Sequence, residues 1–88
     1  MLFVTLLKVK SGTVKERIAK RMQWQPPEGY NIKAEYWLMA EDPRVIVVAE
    51  VADPAVASKV FIDWEDLFEM TVVPAITGEE GLALSKQT

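Results

Sequence analysis

Two consecutive β-type runs, each flanked on its outer side by a helix-type stripe and then a further β-type run, constrain this chain more than any other feature. Residues 31–40 and 45–52 are rich in β-branched and aromatic side chains, and Glu41-Asp42-Pro43-Arg44 between them reads as a short hairpin turn. Ahead of them, Leu2–Val9 is apolar on both alternating faces and stops at Ser11-Gly12, which predicts a central first strand. Thr13 and Glu16 have the spacing of a capping box, so a helix is expected from that point. Its Val14, Ile18 and Met22 share one arc, Trp24 falls outside it, and Pro26-Pro27-Glu28-Gly29 ends it with a rigid turn. Asp53-Pro54 supplies an N-cap followed by proline at the first helical position. In the helix that follows, Val56, Ala57, Val60, Phe61, Trp64, Leu67 and Phe68 form one apolar stripe. Met70–Ile76 is the last strand, with Pro74 marking an edge or a bulge.

The resulting order is β-α-β-β-α-β. It predicts an α+β, ferredoxin-like domain: a four-stranded antiparallel sheet with two helices on one face. At 88 residues there is room for a single domain, assigned to residues 1–77, with an acidic turn and tail over residues 78–88. Hydrophobic residues make up 50% of the chain, more than one small core requires, which points to self-association.

Counting removes several functions. The chain has neither Cys nor His, so disulfides, thiolate metal sites, imidazole bases and His-ligated haem or zinc are excluded. No cofactor and no metal is expected. A net charge of −3 is the wrong sign for nucleic acid. No apolar run is long enough to span a bilayer, and Met1–Leu7 lacks the flanks of a signal peptide, so a cytoplasmic protein is the expectation.

Period-two reading of the hairpin puts Ile32, Ala34, Tyr36 and Leu38 with Val45, Val47 and Ala49 under the helices. The other side then exposes Trp37, Met39, Ile46 and Val48 as an apolar patch, the candidate homodimer interface. The alternative cover is the tail, through Leu82 and Leu84.

Met1-Leu2-Phe3 with Lys10-Ser11-Gly12, Pro26-Pro27-Glu28-Gly29, and the span from Val48-Ala49-Glu50 through Trp64, Leu67, Phe68, Val72 and Pro74 carry a resemblance over nearly the whole chain. It resembles the dimeric α+β barrel superfamily, and within it a family of short proteins known only as a domain of unknown function. The resemblance implies two subunits packed sheet to sheet. It extends to cofactor-independent monooxygenases, haem-binding enzymes, lactone isomerases and stress-response proteins. Haem and isomerase members commonly use His, which is absent here. Fold analogy by itself assigns no chemistry.

A turn at Glu41–Arg44 pairs Ala40 with Val45 and sets Glu35 opposite Glu50. Two carboxylates so placed share a proton, take a cation or Lys33, or, with a different register, simply reach water. Tyr36, Trp64, Phe61 and Phe68 are candidates for lining a small-molecule pocket, and the same residues also suit a plain core. The leading expectation is a homodimer that binds a small, partly apolar molecule between helices and sheet. The alternatives are an enzyme of the monooxygenase or isomerase type using Tyr36 and a carboxylate, and a structural or protein-interaction module.

Overall fold

The computed structural model describes residues 1–87. Among them the elements run β1 (Leu2–Val9), α1 (Val14–Gln23), β2 (Tyr30–Trp37), β3 (Val45–Val51), α2 (Pro54–Trp64), β4 (Phe68–Ala75) and α3 (Gly78–Ser85). The strands form one antiparallel sheet in the order β2-β3-β1-β4, so the chain is α+β with β1 central, as its two-sided apolar pattern requires. No helix among the described residues is long and apolar enough to cross a membrane.

Local chemistry explains each helix start. Thr13 Oγ1 accepts the Glu16 backbone N–H at 3.1 Å, and Asp53 Oδ1 accepts that of Ala55 at 2.7 Å with Pro54 behind the cap. Gly12 turns the chain from β1 into α1 at φ +80°, where a Cβ would stand 2.8 Å from Leu67 Cδ2, so both conformation and space select glycine.

The tail differs from expectation. Thr77 and Glu80 form a complete capping box, with Glu80 N–H to Thr77 Oγ1 at 3.0 Å and Thr77 N–H to Glu80 Oε1 at 3.1 Å, and α3 follows. Leu82 and Leu84 remain exposed on it, so neither seals a sheet face.

The register divides the sheet into rows that face α1 and α2. The first row is Trp37, Val45, Leu7 and Met70; the second is Glu35, Val47, Thr5 and Val72; the third is Ile32, Ala49, Phe3 and Pro74. Core burial centres on Leu7, Tyr30, Ala49, Val51, Val60, Trp64 and Phe68. The reverse face carries Leu2, Val4, Leu6, Ile46, Val48, Tyr36 and Val73, and Tyr36 is 58% exposed there.

A bulge between Ile32 and Ala34 corrects the hairpin reading. The extra residue, Lys33, shifts the alternation by one, so Ala34 and Tyr36 move to the reverse face while Glu35 and Trp37 turn under the helices. The connection also spans Leu38–Arg44 rather than four residues, with Leu38 N–H bonded to Arg44 O at 2.7 Å. Leu67 and Phe68 are likewise not helical: α2 stops at Trp64, and Phe68 opens β4.

Candidate functional site

α1 is amphipathic, yet none of its residues is buried. Met22, expected on its inner arc, is 81% exposed, and Val14 and Ile18 are also exposed. The reason lies in how α1 is fastened. Lys20 reaches the last turn of α2, donating to Asp63 O and, at 2.9 Å, to Asp66 Oδ1. Trp24 Nε1 donates to Asp63 Oδ2 at 2.9 Å, and Ser11 Oγ to Asp66 O at 2.7 Å. Asp63, in the last turn of α2, and Asp66, in the turn that follows it, thus anchor α1. The Lys20 cation also sits where the α2 carbonyls point outward, which the helix dipole favours. Rings complete the fastening: Trp24 stands edge-on to Trp64 at 5.6 Å and to Tyr30 at 6.5 Å.

Held by its polar rim, α1 stands off the first two sheet rows and leaves a cavity of 240 Å³. Val14 and Ile18 form its roof; Leu7, Val45, Val47 and Met70 form its floor. Trp24, Trp37 and Trp64, all the tryptophans of the chain, line it. Leu38 and Met39 from the β2–β3 connection reach its end.

Few polar groups enter. Thr5 is buried on the floor and is the hydrogen-bond partner of the Tyr30 hydroxyl, whose pKa burial pushes up. Glu35, with its side chain 18% exposed, receives Arg21 Nη2 at 2.9 Å, Arg21 Nε at 3.2 Å and Trp37 Nε1 at 2.7 Å. Desolvation raises the Glu35 pKa, but the hydrogen bonds from Arg21 and Trp37 outweigh it and hold the carboxyl below its usual range. The Arg21 pKa moves up correspondingly, chiefly through the same hydrogen bond.

Of the expected pocket residues, Trp64, Phe68 and Glu35 line the cavity. Tyr36 lies on the reverse face, Phe61 is 39% exposed on α2 away from the lining, and Glu50 sits at the sheet margin beside the Met1 amine at 2.5 Å. The Glu35 and Glu50 pair does not form: Glu35 stands opposite Val47 and Glu50 opposite Asn31, because the bulge and the longer connection change the register. Trp37 and Met39 line the cavity, while Ile46 and Val48 do lie on the reverse face. Sequence reading missed Arg21, Tyr30 and Thr5. Arg21 carried a signal, since it is one residue off the Val14–Ile18–Met22 arc and so borders the face that α1 turns inward.

Comparison with curated proteins and with solved structures gives no match. One family matches across residues 1–88, described as a domain of unknown function, DUF3303, and with the full chain covered the protein belongs to that family.

Proposed function

We propose that the chain is a ferredoxin-like subunit of a homodimer, packed sheet to sheet, that binds a small, partly apolar molecule between α1 and the sheet. The observation that carries the binding reading is the 240 Å³ cavity with apolar walls and a few fixed polar groups, the usual make-up of a small-ligand site. The test is a saturation titration with octanoate, octanol and octylammonium, read by tryptophan emission because every tryptophan lines the cavity. At least one probe should bind saturably and be excluded by Ile18→Phe. If none does, the cavity is not a binding site.

Dimerisation is supported by the reverse face, where Val48 stands between Val4 and Ala34 in a field of aliphatic side chains. Sedimentation is expected to show a dimer for the wild type and a monomer for Val48→Asp, because an unpaired carboxylate buried between sheets is costly. A compact 9.9 kDa monomer for the wild type sinks the assembly reading. Acid–base chemistry by Tyr36 with Glu35 has no support, since the two stand on opposite faces of β2.

A further inference from the structure

The ionic groups around the cavity are Arg17, Arg21, Arg44 and Glu35: three cations and one anion in a chain whose net charge is −3. Arg21 and Glu35 satisfy each other. Arg17 and Arg44 belong to no ion pair among the described residues.

Both unpaired cations sit at the same end of the sheet, where β1 finishes and β3 begins. Arg17 Nη1 donates to Ser11 O at 3.1 Å and Gly12 O at 2.6 Å, just beyond β1, and its guanidinium lies 5.9 Å from the centre of the Phe68 ring. Arg44, one residue before β3, donates through Nη1 to Ala40 O at 3.1 Å, and its own N–H bonds Leu7 O at 2.7 Å. Neutral carbonyls therefore position both side chains without cancelling their charge. A guanidinium has five N–H donors, and no hydrogen bond from Nε or Nη2 of either residue forms among the described residues.

We propose that the cavity takes an amphiphilic carboxylate, its head group at Arg17 and Arg44 and its apolar body over Leu7, Val45 and Val47. This rests on the binding reading above and adds the chemical class of the ligand. Fixed guanidiniums at an apolar mouth favour a carboxylate twice over: the forked donors match its oxygens, and the poorly solvated surroundings strengthen the attraction.

The same three probes separate the two claims, since they share a chain and differ in charge. Octanoate should bind at least about tenfold more tightly than octanol, the gain expected of hydrogen bonds to a charged group, with octylammonium weakest. Arg17→Met and Arg44→Met should each reduce that preference while leaving octanol binding in place. Arg17 lies on α1, away from the β2–β3 connection, so its variant remains informative even where loss of Arg44 disturbs that connection. Equal affinity for octanoate and octanol, a preference for octylammonium, or an octanoate preference that survives Arg17→Met overturns the carboxylate assignment and leaves the binding site standing. Binding of none of the three overturns both.

Discussion

α1 and α2 lie over the same sheet face, and only one of them is packed against it. α2 buries Val60 and Trp64, whereas α1 buries nothing and is tied to the end of α2 through Lys20, Trp24 and the residues around Ser11. An apolar stripe therefore says which side of a helix turns inward, not how closely it approaches. The helix with the sharper stripe roofs a cavity, and the other one forms the core.

That contrast can be broken most forcefully at Trp64. Trp64→Ala should cost about 3–5 kcal/mol in urea denaturation, the usual range for emptying a large buried aromatic site, while Met22→Ala on α1 should stay within about 0.5 kcal/mol. Comparable losses at the two positions mean that α1 is packed after all. A smaller effect is expected at Glu35, which joins β2 to α1. Glu35→Gln should remove about 1.5 kcal/mol at neutral pH, in line with hydrogen bonds to charged groups. Because the folded pKa of Glu35 is lowered, its stabilisation is present above the ordinary carboxylate range and fades as pH falls through the folded value. Wild type and Glu35→Gln should therefore converge in acid, and a pH-independent gap contradicts the ion pair. The smallest change is a gain: Ile18→Phe should fill the space under α1 and stabilise the protein by roughly 0.5–1 kcal/mol, seen as a raised Tm. Destabilisation there means that the cavity cannot accept the extra volume.

Element order was readable because capping residues and periodicity agree at each start: Thr13 with Glu16, and Asp53 with Pro54, mark helices that form where expected. The same rule covers Thr77 and Glu80, which have the spacing of Thr13 and Glu16, so α3 was legible there although Gly78 and Gly81 read as a turn, and Glu79 and Glu80 in its first turn favour the helix. The site was only partly legible. Trp64 and Phe68 follow from their stripe, although Phe68 reaches the cavity as the first residue of a strand. The placement of Glu35, Tyr36 and Trp37 depends on the bulge at Lys33, and nothing in the alternation of β2 announces an extra residue. Trp24 lies off the arc of α1 and still belongs to the aromatic cluster, because its backbone leaves the helix at the C-cap in an extended conformation.

Lys33 does not itself line the cavity, yet the way it is accommodated decides the chemistry found there. A strand has only two sides, so whether Lys33 is paired or bulged out acts as a parity bit for everything between it and the next connection. With Lys33 bulged out of the pairing, the inward set is Glu35 and Trp37: an acid to hold Arg21 and an indole to hold the acid. Were Lys33 paired in regular alternation after Ile32 instead, the inward set would be Ala34 and Tyr36, a methyl group and a phenol, and Arg21 would lose its counter-charge. The bulge is therefore as informative about the cavity as the identity of any residue that lines it.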